Sequence, residues 1–369
     1  MKKLQVFAVI LLMYLIENAY VFYSWSPIVR GNNILMAVYC ILAFTMTFSI
    51  LGFYGLNKKI PTYIGGVLYK IGTGWFMLII YAVLLCLLMD IVTALFSSVI
   101  LITAIQQAWV LITLTSAIAL FGYLNYKKKR RVAFTIQVDK VLKKPLKVVM
   151  LSDMHLGYAI ERAELKSWVE LINQEKADLV LIAGDVIDNS VSPLHYYQLE
   201  HILNKVESRL GTFSCLGNHE YLAGLTGSLH FLKEAGVHVM QDEVIYLEEE
   251  NITLVGRDDK TNSRRKGLKA LTGEVDPTSL TILLDHQPYA LNEAASCGVD
   301  LQLSGHTHRG QIWPVSYITD YLFEQSHGYL KKEQTHYYVS SGIGIWGGRY
   351  RIGTKSEYAV ITIEGKTAN

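Results

Sequence analysis

Five short segments of the sequence place aspartate, asparagine and histidine side chains at close spacing. In chain order they are Asp153-Met154-His155, Gly184-Asp185-Val186-Ile187-Asp188, Gly217-Asn218-His219-Glu220, Asp285-His286 and Gly305-His306-Thr307-His308. Carboxylate and amide oxygens mixed with imidazoles, without a thiolate, suit divalent manganese, iron or zinc better than a structural zinc site. The segments therefore predict a metalloenzyme.

Each segment directly follows a short apolar run. Runs bounded by glycine or polar residues predict buried strands, here ending near Leu151, Ala183, Leu216, Leu284 and Leu303. Open α/β sheets place their sites at the carboxyl ends of strands. A single histidine after a strand is more often structural than a ligand, but five such segments are hard to explain in that way.

The amino-terminal third of the chain is unusually apolar. The 369 residues are 51% hydrophobic and 18% charged, with a mean hydropathy of +0.25, and most of the excess lies before residue 127. Runs of about twenty apolar residues predict membrane spans. We expect four, at Leu4–Tyr23, Ile34–Leu56, Trp75–Phe96 and Ile102–Tyr123.

Polar residues interrupt these spans. Glu17 and Asp90 could serve a function within the membrane or face neighbouring helices, and the sequence leaves both interpretations open. Trp25 and Trp75 lie near predicted span ends, as expected of an interfacial aromatic belt.

Basic residues are concentrated on one side of the predicted spans. They are Lys2, Lys3, Lys58, Lys59, Lys70 and Lys127 to Arg131, whereas the opposite connections carry only Arg30. The positive-inside rule then predicts an integral, multi-pass protein of the cell membrane with both termini and the catalytic domain in the cytoplasm. An arrangement with three spans would place that domain outside, and the short third connection leaves this alternative open.

The chain divides into three parts on these grounds. We predict a transmembrane region of about four helices at residues 1–126, a basic juxtamembrane linker and first strand at 127–145, and a catalytic domain at 146–369. The net charge of +2 leaves no basic stripe beyond the juxtamembrane run, so we expect no nucleic-acid partner. Four cysteines without CxxC spacing predict reduced thiols.

The second part alternates strand and helix patterns, which predicts a layered α/β domain with partly mixed sheets. Helices are predicted near Arg162–Glu175 and Leu225–Ala235, and a hairpin near Val244–Leu247 and Ile252–Gly256. The remaining strands are predicted near Phe134–Val138, Leu146–Leu151, Leu280–Leu284, Leu301–Leu303, Tyr337–Ser340 and Tyr358–Ile363.

The five segments in this order resemble the calcineurin-like metallophosphoesterase superfamily, whose pattern is D-x-H, G-D-x-x-D, G-N-H-[DE], H and G-H-x-H. The resemblance covers nearly all of residues 146–363, and the run from Gly305 to Gln311 is similar to the membrane-anchored bacterial branch. It implies an α/β domain in which two mixed β-sheets are flanked by helices, preceded here by an all-α transmembrane region.

The resemblance also implies a role for each matching residue. One divalent ion would be held by Asp153, His155, Asp185 and His308, and the second by Asp185, Asn218, His286 and His306. His219 would act on the leaving group, while Asp188 and Glu220 would orient ligands. Arg309 could contact phosphate or be structural. Two such ions neutralise phosphate oxygens and lower the pKa of an attacking water.

These inferences predict a metal-dependent phosphodiesterase or pyrophosphatase that hydrolyses a lipid-linked or nucleotide-lipid phosphoester at the bilayer surface. The four spans fit a plain membrane anchor as well as a lipid substrate. The alternative is a metal-binding sensor or scaffold at the membrane with weak or no turnover. A transporter is disfavoured because four short spans with few polar residues make a poor translocation path. The oligomeric state does not follow from the sequence.

Overall fold

The computed structural model describes residues 2–56, 59–96 and 102–367, and the chain forms two compact units. The helical unit comprises Met1–Leu124 together with Gly347–Tyr350, and the sheet unit comprises Asn125–Trp346 and Arg351–Asn369. Lys58, one of the residues used to predict the orientation, lies outside the described residues.

The helical unit is built from four long helices. They are α1 (Lys2–Trp25), α2 (Asn33–Leu56), α3 (Thr62–Phe96) and α4 (Ala104–Lys127), whose last residues belong to the sheet unit. All four are long and apolar enough to cross a membrane. Helix α3 begins well before the predicted start because glycine, which is frequent between residues 65 and 74, is well tolerated in membrane helices.

Polar side chains connect the helices of this unit. The Asn18 Oδ1 on α1 accepts hydrogen bonds from Thr47 Oγ1 on α2, at 2.9 Å, and from Trp75 Nε1 on α3, at 2.7 Å. Trp75 is therefore buried among the helices of this unit, and its place at the membrane interface stays a prediction. Asp90 accepts a hydrogen bond from the Tyr20 hydroxyl at 2.6 Å, which favours a helix-packing role for this acid.

The first sheet of the sheet unit has six strands. In spatial order they are β1 (Lys129–Leu142), β12 (Ser356–Thr367), β2 (Leu146–Leu151), β3 (Leu179–Ala183), β4 (Thr212–Cys215) and β5 (His238–Met240). Strands β2, β3, β4 and β5 are parallel, whereas β12 is antiparallel to β2 and parallel to the edge strand β1.

The second sheet also has six strands, with a parallel centre and antiparallel edges. In spatial order they are β10 (Gly328–Lys332), β11 (Thr335–Val339), β9 (Leu301–Ser304), β8 (Leu280–Leu284), β7 (Ile252–Gly256) and β6 (Glu243–Leu247). Central strands such as β3 and β8 consist of apolar side chains and threonine, as expected where both faces of a sheet are covered.

Helices flank both sheets. They are α5 (Arg162–Gln174), α6 (Ser192–Tyr197), α7 (Glu200–Leu203), α8 (Asn218–Ala223), α9 (Leu225–Glu234), α10 (Leu268–Thr272), α11 (Leu291–Ser296) and α12 (Val315–Leu322). One apolar core contains side chains from both sheets, including Leu181 of β3 and Ile282 of β8. The predicted class, two mixed sheets flanked by helices after an all-α apolar region, is confirmed.

The basic run after α4 does not remain outside the sheet unit. Strand β1 begins at Lys129, whose ammonium lies 3.6 Å from Glu164 Oε1 and 3.6 Å from the centre of the Tyr126 ring. Burial lowers the pKa of Lys129 well below its usual range, although Glu164 opposes this effect. Lys129 thus faces inward. The basic run was expected to lie beside anionic lipid at the end of the last span, and this expectation is wrong for Lys129.

Candidate metal centre

The carboxyl ends of strands from both sheets bring the predicted ligands together. Asp153 follows β2, Asp185 follows β3, His286 follows β8 and His306 follows β9. Aspartate and histidine side chains form three overlapping groups whose potential ligand atoms lie within 4.8 Å of one another. The groups are Asp153, His155 and His308; His155, Asp185 and His219; and Asp185, His286 and His306.

The first group brings two imidazoles to one carboxylate. His155 Nε2 and His308 Nε2 are 2.9 Å apart, and His308 Nε2 is 3.4 Å from Asp153 Oδ1. His155 Nε2 also lies 3.8 Å from Asp185 Oδ2. Two imidazole nitrogens and two carboxylates therefore surround one small, buried volume, and such a donor set attracts a divalent cation.

The third group centres on Asp185 and His286. The His286 Nδ1 donates to the Ala183 carbonyl oxygen at 2.7 Å, so Nε2 is the ring nitrogen left to bind a cation or a proton. Nε2 faces Asp185 Oδ2 at 3.1 Å. Two acceptors at this distance need a cation or a proton between them, and a carbonyl partner on the opposite ring nitrogen is typical of metal-ligating histidines.

Asn218, the remaining predicted ligand, begins helix α8. Its Oδ1 is buried and accepts no hydrogen bond from any residue that the structure describes. A buried amide oxygen without a donor is costly. Its position directly after β4 and next to His219 fits a neutral oxygen ligand for a cation.

His219 lies beside these groups, and its ring contacts Asp188 through Nδ1. Its Nδ1 is 2.5 Å from the Asp188 carbonyl oxygen and 3.6 Å from Asp188 Oδ1. Because a carbonyl oxygen can only accept a hydrogen bond, Nδ1 carries the proton and Nε2 is the atom free to exchange one. The ring centre is 4.5 Å from that of His155. His219 is thus placed next to the cluster with one exchangeable nitrogen.

Glu220 organises the backbone beneath the centre. Its carboxylate accepts hydrogen bonds from the backbone N–H groups of Asp185, Ile187 and Gly217, at 3.1, 3.0 and 2.7 Å. Burial, together with the nearby charge of Asp185, raises the pKa of Glu220 to about 7. The side chain joins the loops after β3 and β4, as expected of a residue that orients ligands.

The loops that carry the ligands are conformationally strained. Left-handed backbone angles are uncommon for residues other than glycine and concentrate at functional sites. They occur at five of the predicted ligands, namely Asp153, His155, Asp185, His306 and His308. Gly217 allows a close approach, because a Cβ there would overlap the Asp185 carboxylate. The surrounding fold therefore holds the ligands in an arrangement that short loops would not adopt alone.

Arg351 is a site residue that the sequence pattern did not single out. Its side chain is fully buried, and its guanidinium donates to the carbonyl oxygens of His308, Ser341, Gly342 and Gly344. Burial lowers the pKa of Arg351 to about 10, so it stays protonated at neutral pH. The residue fixes the backbone that carries His308. Arg351 and His308 are 43 residues apart in the sequence, and no local spacing reveals this role.

Other charged residues near the motifs have structural partners. Arg257 pairs with Asp285 at 3.3 Å and with Glu293 at 2.8 Å, and Asp259 accepts a hydrogen bond from Gln287. They hold the loop after β7 against the loop after β8. Arg309 is exposed, so its contact with phosphate stays a prediction.

The electrostatics of the centre fit divalent cations. Burial opposes ionisation of Asp185, but the positive field of His286 and His219 holds its pKa well below the usual range. Burial and His286 lower the pKa of His306 to about 4, so His306 has an unprotonated nitrogen available at neutral pH. Burial opposes protonation of His286, but the charge of Asp185 raises the pKa of His286 well above its usual range, so a proton occupies the place that a cation would take. A buried set of carboxylates, imidazoles and an amide oxygen without a donor suits two adjacent divalent ions.

Comparison with known proteins agrees with this chemistry. The sequence model of the family described as calcineurin-like phosphoesterase matches residues 146–310. This range contains all of the residues predicted to bind metal.

Individual relatives occur in bacteria and animals. An uncharacterized metallophosphoesterase of Aquifex aeolicus is 34% identical over 242 residues, which are 63% of this chain and 91% of the relative. One of Helicobacter pylori is 37% identical over 235 residues, 62% of each chain. A Danio rerio protein named transmembrane protein with metallophosphoesterase domain is 31% identical over 278 residues, 70% of this chain and 63% of the relative. The chain thus matches less than two thirds of the Helicobacter and Danio proteins.

Proposed function

The chain belongs to the calcineurin-like metallophosphoesterase family, and from this premise we propose that it is a membrane-anchored, dinuclear metal-dependent phosphoesterase that cleaves a phosphodiester or pyrophosphate bond. The observation that carries the proposal is the sharing of Asp185 by two overlapping groups of aspartate and histidine ligands. When bound, two divalent cations neutralise phosphate oxygens and lower the pKa of the attacking water.

The residues divide between the two cation positions. Asp153, His155 and His308 hold one position and His286, His306 and Asn218 the other, with Asp185 between them. The convergence of lone pairs at His155 and His308, and at Asp185 and His286, supports this division. Arg351 keeps His308 in place through the His308 carbonyl oxygen.

His219 is proposed as the catalytic residue that handles the leaving group. Its Nδ1 donates to the Asp188 carbonyl oxygen, which orients Nε2 away from Asp188. Protonated at Nε2, His219 can donate to the departing oxygen as the phosphorus–oxygen bond breaks. Removal of such a group typically lowers the rate by about 10²–10⁴-fold.

The four apolar helices support a substrate presented at a bilayer, and we propose a lipid-linked phosphoester. We further propose that the sheet unit is cytoplasmic, since Lys59, Lys70, Lys127 and Lys128 follow the positive-inside rule. A Glu170→Cys variant tests the orientation, because Glu170 is exposed on α5. A membrane-impermeant maleimide should label it in inside-out vesicles and not in right-side-out vesicles; the reverse result would refute the cytoplasmic assignment.

The enzyme proposal is tested by hydrolysis with the purified full chain. The substrates are bis(p-nitrophenyl) phosphate, p-nitrophenyl phosphate and a lipid-linked pyrophosphate, each with added Mn²⁺ and with chelator. We expect metal-dependent turnover that Asp185→Asn and His219→Ala abolish. The matched controls, Asp139→Asn and His230→Ala, change exposed residues and should retain turnover.

The results distinguish the enzyme from its alternative. Turnover that survives chelator, or that the control substitutions remove equally, contradicts the proposal. No turnover on any of the three substrates by a chain that binds divalent cations would favour the metal-binding sensor or scaffold. The preferred substrate decides between general phosphodiesterase activity and action on lipid-linked pyrophosphates.

A further inference from the structure

Helix α12 presents a continuous apolar stripe at the surface of the sheet unit. Tyr317, Ile318, Tyr321 and Leu322 are each exposed, from 57% for Ile318 to 88% for Tyr321. Their spacing of three and four residues places them on one side of the helix, while Ser316 is buried on the other. Contiguous exposed apolar patches usually mark a binding surface.

We propose that this stripe inserts into the lipid bilayer surface and presents lipid-linked substrate to the metal centre. Only the presentation of substrate rests on the proposed phosphoesterase function. The insertion itself is a property of α12 and can be tested without turnover.

The composition of the stripe favours lipid over a protein partner. Tyrosine beside isoleucine and leucine combines an apolar body with a polar tip, which suits the boundary between headgroups and acyl chains. The chain also carries four helices able to span a membrane, so a bilayer is a permanent neighbour at high effective concentration. Since α12 contains no lysine or arginine, its insertion should depend on apolar contact rather than on anionic lipid.

Hydrogen bonds within the sheet unit hold the segment that precedes α12. The Gln311 side chain bonds both the N–H and the carbonyl of Trp346, at 3.0 and 2.9 Å. The Trp313 N–H donates to the Ile352 carbonyl at 2.7 Å. The amino-terminal end of α12 is therefore fixed in position, while its apolar stripe is exposed.

The end of α12 leads to the metal centre. Phe323 follows the helix, and its N–H donates to the Thr319 carbonyl. The Phe323 ring centre lies 5.0 Å from that of Tyr289 and 6.1 Å from that of His306, a proposed metal ligand. An aromatic path thus joins the exposed stripe to the centre, as a phosphoester with an apolar tail would require.

The test measures lipid contact directly. The full chain is reconstituted in phosphatidylcholine nanodiscs with Tyr321→Cys labelled by an environment-sensitive fluorophore, in a background in which Cys40 and Cys297 are replaced by serine. Nitroxide-labelled lipid should quench this probe several-fold more than a probe at Glu170→Cys on α5. A second labelling site, Tyr317→Cys, guards against a local effect of one substitution. Adding anionic lipid should leave the quenching unchanged.

Each outcome bears on the proposal. Equal quenching at positions 321 and 170, or quenching at 321 and 317 that requires anionic lipid, would overturn apolar insertion. Adding Ile318→Glu to the Tyr321→Cys chain should reduce the quenching, and undiminished quenching would also count against it. Hydrolysis of soluble bis(p-nitrophenyl) phosphate by the wild-type chain tests the enzyme proposal separately. Quenching without turnover would support the insertion proposal and contradict the enzyme proposal.

Discussion

The buried guanidinium of Arg351 allows the stability of the metal-free centre to be worked out in numbers. Its four acceptors are backbone carbonyl oxygens that belong to the segments next to the ligands. Arg351→Met keeps much of the side-chain volume but removes every donor. We expect the sheet unit to lose stability even when no metal is present.

The size of the loss follows from what else each carbonyl binds. His308 O keeps the Gln311 N–H at 3.0 Å, and Gly342 O keeps the Glu357 N–H at 3.0 Å. Within the described residues, Ser341 O and Gly344 O accept from Arg351 alone. Each buried carbonyl left unpaired costs about 1–3 kcal/mol. Burial of the apolar methionine offsets part of this cost, so we expect a net loss of roughly 2–5 kcal/mol.

The assay uses a thiol inside the sheet unit. Cys215 in β4 is buried, so it reacts with a thiol reagent only when this unit opens. In a full-length chain whose other cysteines are replaced by alanine, labelling against urea concentration, with chelator present, gives the free energy of unfolding. Arg351→Lys should lie between wild type and Arg351→Met, because one ammonium reaches fewer carbonyls. An Arg351→Met midpoint equal to that of the exposed-site control Arg264→Met would refute the reasoning.

Three further predictions follow from the contacts. Gly217→Ala should reduce phosphodiester hydrolysis by roughly 10²-fold, because the added Cβ displaces the Asp185 carboxylate. The control Gly267→Ala, where a Cβ meets open space, should keep the wild-type rate. Equal rates for the two variants would contradict the prediction. A hydrogen bond from Arg131 holds the pKa of Glu175 below its usual value of 4.5, so Glu175→Gln should cost about 0.5–1 kcal/mol at pH 7. This cost should shrink as the pH falls below 4.5 and disappear only below the lowered pKa of the folded state; urea midpoints that differ by the same amount at every pH would refute it. Asn18→Ala should weaken the helical unit by about 1–2 kcal/mol in detergent titrations, because it removes the acceptor of Thr47 and Trp75.

The sequence allows prediction where function depends on local spacing. Asp153, Asp185 and His306 each follow a short apolar strand, so their place at the strand ends could be read directly. The division into two sheets was implied by the resemblance to the family. Partly mixed sheets and the four apolar helices could also be predicted, because they rest on periodicity and length. Their register could not, since it depends on which strands pair.

Features that depend on tertiary contacts could not be predicted from the sequence. Arg351 acts on His308 across 43 residues, and nothing in its neighbours indicates full burial. The hydrogen bond from Trp75 to Asn18 joins α3 to α1, and no spacing in the sequence indicates this partner. Helix α12 is eight residues long and follows Pro314, too short for its apolar stripe to be distinguished from a loop.

The most direct test of the central claim is the number of metal ions bound per chain. Purified, chelator-stripped full-length protein is titrated with Mn²⁺ and, separately, with Zn²⁺, and bound metal is counted after gel filtration. We predict two ions per wild-type chain, fewer than one for Asp185→Asn because both positions share this carboxylate, and two for the exposed control Asp139→Asn. Two ions retained by Asp185→Asn, or none bound by wild type, would contradict a dinuclear centre built on Asp185.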